Sequence, residues 1–438
     1  MTSIQVVNDP AFKSQVKLIA FLSYFRTFSG SIIKTGIAIF ILSTWTAGWP
    51  SDFFSGLSIS AIALTYMFSP IVFGQKSDKI GRRRSLLVAT GGNVIIAGCL
   101  LFLVIYTSFS TDIWLLIFII CMRATEGLLN GFFWPILQAS VADASIWFSK
   151  SRSMQDATTK SAMGIFNLGW NAGILSGEFF LSMYLLAFKE VKYALIIASV
   201  LHVVNFIIAF LFFKQYDSNR KKTDNSSTFI KISTNDQKNL EIKGINRNLT
   251  LTIAISLIFI LLYGFCIGGL TTTTTNLYKF LNIAYLLGIT EVARISVQAI
   301  ATSKFKFKGK QIEKTSGIFA IIAGMFVLLS FTSGKVEPLV FLGIYSVLGF
   351  LLGICYAEPI HIMASIGDEK KRGFYMGLFE AFIGIGFFIG PLFAGFITEN
   401  VSYQFSYLIV SIILIIIIIV VVVLSIFLRR NERKYTTN

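Results

Sequence analysis

Histidine occurs only twice and cysteine only four times in 438 residues, and charged residues make up 14% of the chain. Each scarcity excludes something. His202 and His361 are too far apart in sequence to form the paired imidazoles of a H-E-x-x-H metal centre. Cys99, Cys121, Cys266 and Cys355 sit singly in apolar segments, with neither metal-ligand spacing nor a disulfide framework. No G-x-x-x-x-G-K-[ST] loop is present, so direct drive by ATP has no support. No cluster of catalytic residue types stands out, and neither an enzyme activity, a cofactor nor a bound metal is expected.

What replaces charge is hydrocarbon. Apolar residues make up 55% of the chain, with 43 Phe among them, and the mean hydropathy is +0.73. Apolar segments long enough to cross a bilayer recur throughout. Twelve helices are expected, beginning near residues 16, 53, 85, 113, 161, 191, 249, 282, 315, 338, 372 and 403. The junction before the eighth is the weakest, because "TTTTTNLYKFLNIAYLL" has no charge run to interrupt it. The fold class is an all-α integral membrane protein.

The net charge of +16 would suggest a nucleic-acid partner in a soluble chain. Its distribution excludes that reading. Of the 38 basic residues, 30 fall in the amino terminus, the even-to-odd loops and the carboxyl tail; four fall in odd-to-even loops and four within helices. Basic residues remain on the cytoplasmic side, so both termini are expected there. Residues 215–248 are polar and basic, and they separate an amino-terminal bundle (1–214) from a carboxyl-terminal one (249–438).

The halves repeat. Met163, Gly164, Phe166, Gly173 and Gly177 match Met376, Gly377, Phe379, Gly386 and Gly390 at a constant offset. Upstream, "FFWPI" (132–136) matches "YAEPI" (356–360). The fourth and fifth helices thus correspond to the tenth and eleventh in the same orientation, a parallel repeat of two six-helix bundles.

Between the second and third helices lies "GQKSDKIGRRRSLL" (74–87), with five basic residues between Lys76 and Arg84. Gly81 permits a tight turn, and the basic groups hold the loop outside the bilayer. In this position of a twelve-helix chain, Gly74, Asp78, Gly81, Arg82 and Arg83 resemble the signature loop of the major facilitator superfamily. The resemblance extends over the whole chain in topology, and implies two pseudo-symmetric six-helix bundles that rock about a midplane site. It also implies that this loop latches the halves together on the cytoplasmic side. The second copy, "SKFKFKGKQIEK" (303–314), lacks the aspartate. Gly169, Gly173 and Gly177 resemble the fifth-helix glycine pattern of antiporters, but the accompanying proline is found at Pro391 of the eleventh helix instead.

Ionisable groups inside spans are costly and are functional candidates by default. The resemblance implies a central cavity lined by helices one, four, seven and ten. This makes Arg26, Lys34, Arg123, Glu126, Asn130, Trp134 and Glu358 candidate substrate-binding residues. Arg123, Glu126 and Asn130 are spaced to share one helix face. Withdrawal from water favours the neutral form of a carboxylic acid, so Glu126, Glu178, Glu291, Glu358 and Glu380 are the candidates for proton coupling. Arg123 with Glu126, and Glu291 with Arg294, are also placed to neutralise each other.

The expected function is secondary active transport of a small organic solute, coupled to protons, by a monomer surrounded by lipid in the plasma membrane. A transport-inactive sensor on the same fold is the alternative.

Overall fold

The computed structural model describes residues 9–44, 50–106, 113–148, 152–188, 190–215, 243–280, 286–304, 311–333, 338–365 and 369–436. Among them run α1 (Pro10–Thr44), α2 (Ser51–Tyr66), α3 (Ser69–Ile80), α4 (Arg82–Tyr106), α5 (Ile113–Phe148), α6 (Arg152–Phe188) and α7 (Lys192–Phe212). The second half contains α8 (Lys243–Phe280), α9 (Leu286–Lys304), α10 (Gln311–Thr332), α11 (Pro338–Ser365), α12 (Glu369–Asn400) and α13 (Tyr403–Thr436). No strand occurs among the described residues. Most of the separating segment, 216–242, lies outside the described residues, and α8 begins six residues earlier than the expected 249.

Among the described residues, eleven stretches are long and apolar enough to span a membrane. The helix at the place of the expected eighth span, α9, is less apolar because it carries Glu291, Arg294 and Gln298, all buried. The junction before it resolves in favour of a long α8 that includes Thr271–Thr275. Threonine is a weak helix former, but here Thr274 and Thr275 donate to the carbonyls of Leu270 and Thr271 within the helix. Thr273 meets Ser406, and Thr274 meets Tyr407, on α13.

One expected helix is broken. The span 51–73 is interrupted at Met67–Phe68, because Pro70 has no backbone N–H and its ring would collide with the carbonyl four residues back. Pro70 is accommodated in the first turn of α3, where that N–H has no helical partner anyway. Pro135, Pro359 and Pro391 are instead held inside continuous helices.

The sequence repeat is realised as repeated packing. Gly173 and Gly177 seat α6 on α1, against Tyr24, Thr27, Phe28 and Ser31. Their counterparts Gly386 and Gly390 seat α12 on α8, against Leu261, Gly264, Phe265 and Gly269. A Cβ added at Gly177 would lie 2.5 Å from the Phe28 carbonyl oxygen, and one at Gly390 would lie 2.6 Å from that of Phe265. Glycine lets the backbones approach this closely where lipid offers no hydrophobic force to join helices. Gly177→Ala and Gly390→Ala should each cost about 1–3 kcal/mol as overpacking. Gly164→Ala, whose Cβ would meet nothing within 4 Å, should leave the thermal midpoint unchanged. Equal midpoints for all three variants would refute this packing.

A second glycine repeat was not read from sequence. Gly127 and Gly131 on α5 bring the α2–α3 span close, and Gly349 and Gly353 on α11 bring α9 close. Across the two halves, α12 packs along α2 and α3, while α6 packs against α9.

Candidate functional site

In the first half, Arg26 of α1 reaches across to α5. Its Nη2 donates to Glu126 Oε1 and to Asn130 Oδ1, both at 2.6 Å, and its Nε donates to Asn130 Oδ1 at 3.1 Å. Arg123 Nη1 donates to the other oxygen of the same carboxylate, Glu126 Oε2. One carboxylate therefore serves two guanidiniums. The shared face expected from the spacing of Arg123, Glu126 and Asn130 is the face that α1 covers, and all four side chains are buried. His202 of α7 completes this group, with its Nδ1 3.5 Å from Ser29 Oγ.

A second set lies where the halves meet. Lys34 Nζ is 3.6 Å from Glu178 Oε1, and Thr35 donates to both oxygens of Glu178. Lys34 keeps 31% of its side chain exposed, whereas Glu178 is fully enclosed. Glu178 lies within electrostatic reach of Glu291 on α9, in the other half. Glu291 is held by Arg294 at 2.6 Å and by Thr271 at 3.4 Å. Arg294 continues to Gln298, which donates to the Tyr263 hydroxyl at 2.6 Å.

Glu380 of α12 differs from the other described glutamates of the spans. Its carboxylate accepts from the Tyr66 hydroxyl at 2.8 Å and from Gln138 Nε2 at 3.4 Å. Both donors are neutral, and both belong to the opposite half. Among the described residues no cation pairs with it, while Glu126 pairs with two and Glu178 and Glu291 with one each. The titratable groups within its electrostatic reach, among the described residues, are the phenols of Tyr66 and Tyr356. Tyr66 is the last residue of α2, so the proline-induced break places its hydroxyl at this contact.

The remaining candidates are dispersed. Trp134 is half-buried and packs edge-on against Phe133 and Phe166. Glu358 lies on α11, and its side chain is outside the described set, as are the side chain of Asp78 and the surroundings of Gly74. Gly81 has φ 97°, a left-handed conformation that suits glycine and ends α3. Arg82 pairs with Asp143 at 3.2 Å and donates to Ser77, and Arg83 donates to the Phe210 carbonyl. These two arginines of the loop are therefore tied within the first half. No group of three or more metal-ligating side chains occurs among the described residues.

Sequence reasoning did not find Tyr66, Gln138, Tyr263 or Gln298. Each is a neutral polar residue in an apolar segment. The partners of Tyr66, Gln138 and Tyr263 lie far along the chain, so spacing carries no signal for those three, whereas Gln298 follows Arg294 by four residues and that i, i+4 spacing is a signal that could have found it.

Two repeated helix bundles, with ionisable groups buried inside one half and at the contact between halves, define an integral membrane protein of the transporter class. The sequence specifies which one: the Major Facilitator Superfamily model matches residues 18–365 and 314–438, and the chain belongs to that family of secondary transporters. No curated protein matches the chain by sequence. Among solved structures it is similar to a proton-dependent oligopeptide transporter, with TM-score 0.66, 14% identity, and coverage of 96% of this chain and 100% of that one. It is also similar to the human organic anion transporter MFSD10, with TM-score 0.61, 14% identity, and coverage of 94% and 100%. The nucleoside transporter NupG, in a mutant form, gives TM-score 0.65, 13% identity, and coverage of 94% and 99%.

Proposed function

We propose that the protein couples proton movement to transport of a small organic solute, exposing one site alternately to the two sides of the membrane. The observation that carries this reading is Glu380. It can change its charge without breaking an ion pair, and it is held by donors from the opposite half. A proton taken up or released there acts directly on a contact between the halves. Glu126, Glu178, Glu291 and Glu358 are the other carboxylates available for coupling.

The solute-contacting set is Arg26, Lys34, Arg123, Glu126, Asn130, Trp134 and Glu358, with Lys34 the partly exposed charge among the described members. Gly74, Asp78, Gly81, Arg82 and Arg83 form the loop that limits rocking. The basic-residue distribution supports cytoplasmic termini, and we place the protein in the plasma membrane as a lipid-surrounded monomer.

Purified protein in proteoliposomes tests the reading. With an imposed proton gradient, one class among organic acids, sugars and organic cations should show saturable uptake that a protonophore abolishes. Saturable uptake indifferent to the protonophore would remove proton coupling. Specific binding without flux of any class would assign a sensor instead.

A further inference from the structure

The interior of the first half is stratified. One apolar cluster contains Ile32 and Ile33 of α1, Ile96 and Leu100 of α4, Ile119 of α5 and Ala198 of α7. Another contains Leu22 of α1, Ala89 of α4, Phe133 of α5 and Ala209 of α7. On each of the four helices, the residues between the two clusters include buried polar groups. Among them are Ser23, Arg26 and Ser29; Thr90 and Asn93; Arg123, Glu126 and Asn130; and His202 and Asn205.

This polar layer is not internally satisfied. Nε and Nη2 of Arg123, which is 1% exposed, have no hydrogen-bond partner among the described residues. The same holds for Ser23 Oγ, both amide atoms of Asn93 and Asn205 Oδ1. Buried donors are almost always paired, and those on a cation most of all. The charge is unbalanced in the same direction. Among the described residues Glu126 is the one carboxylate acting on Arg123, and Arg26 shares it. His202 lies close enough to interact with all three and supplies no negative charge.

We propose that this layer binds a monovalent anionic group on Nε and Nη2 of Arg123. The two adjacent N–H groups of a guanidinium edge match a carboxylate in a bidentate manner, and can equally converge on a halide. An anion there would neutralise the surplus charge and satisfy the free donors together, whereas a neutral ligand would leave the charge. The group is either a free ion or the carboxylate of the transported solute. The second source rests on the solute site proposed above.

Thermal unfolding of the purified protein distinguishes these sources without requiring transport. Bromide should replace gluconate, which is too large and hydrated to enter a buried layer, at constant ionic strength. For a free-ion site the midpoint should rise saturably by about 2 °C or more, and Arg123→Gln should not respond. For a solute-borne carboxylate, bromide should have no effect. Low concentrations of aliphatic monocarboxylates, acetate to octanoate, should then stabilise the wild type and not the variant. Indifference of the wild type to both, or equal responses from the variant, would overturn the site. If Arg123→Gln does not fold, anomalous scattering from crystals of the wild-type protein grown in bromide or a brominated monocarboxylate decides. A peak within hydrogen-bonding distance of Arg123 supports the site, and an ordered water in its place refutes it. Failure of uptake in proteoliposomes with a retained bromide response would count against the transport reading alone.

Discussion

Glu380→Gln is expected to abolish proton-driven accumulation of the solute while leaving solute exchange at equal concentrations intact. Glutamine has nearly the shape of glutamate and keeps an oxygen to accept from the Tyr66 hydroxyl, so the contact between α12 and α2 survives. What it loses is the ability to change charge. With one proton per solute, a gradient of about two pH units is worth about 2.7 kcal/mol and sustains an accumulation of about a hundredfold. The variant should fall to about onefold. The corresponding changes at Glu126, Glu178 or Glu291 remove the counter-charge of a buried or partly buried cation, so they damage folding or binding as well as any coupling. Accumulation by Glu380→Gln at the wild-type level would show that the coupling proton is carried elsewhere, and Glu358 would be the next residue to replace. Tyr66→Phe provides a second check. It removes the shorter of the two hydrogen bonds to the carboxylate without touching its charge, and should alter the pH dependence of uptake rather than eliminate coupling.

Glu126→Ala should be among the most destabilising single substitutions in the first half. The side chain accepts from both Arg26 and Arg123, which are 2% and 1% exposed. Removing it leaves two guanidiniums buried side by side, with Asn130 as the one remaining oxygen partner of Arg26 among the described residues. Breaking a buried ion pair from one side costs about 3–5 kcal/mol, a large share of the roughly 5–15 kcal/mol that holds a typical domain folded. The expected result is loss of monodisperse protein after detergent extraction, or a steep fall in the thermal midpoint. Glu126→Gln should be less damaging, because it keeps an oxygen for Arg26 while discarding the charge. Wild-type stability for Glu126→Ala would mean that the two arginines do not depend on this carboxylate.

Both effects depend on cross-helix contacts, and here sequence and structure carry different information. The helices, their repeat and the burial of the intramembrane charges follow from patterns within single segments. Apolar length marks a span because every backbone polar group in lipid must find its partner within its own helix. The match of Gly173 and Gly177 to Gly386 and Gly390 marks the repeat, and the structure adds that these glycines seat α6 on α1 and α12 on α8. The i, i+3, i+7 spacing of Arg123, Glu126 and Asn130 foretells a common face, and the i, i+3 spacing of Glu291 and Arg294 foretells their pairing.

The interruption at Met67–Phe68 was also within reach, since Pro70 carries a local steric rule, yet a proline can equally be absorbed in a continuous helix, as Pro135 and Pro359 are. No local rule joins Arg26 to Asn130, 104 residues away, or Glu380 to Tyr66, 314 residues away. Hydropathy and helix periodicity are properties of neighbouring residues and can be summed along the chain. The partner of a buried charge depends on which helix crosses at that depth and which side chain faces it. Those choices are made by close packing of small residues and by competition among polar groups for each other, once the helices have already formed.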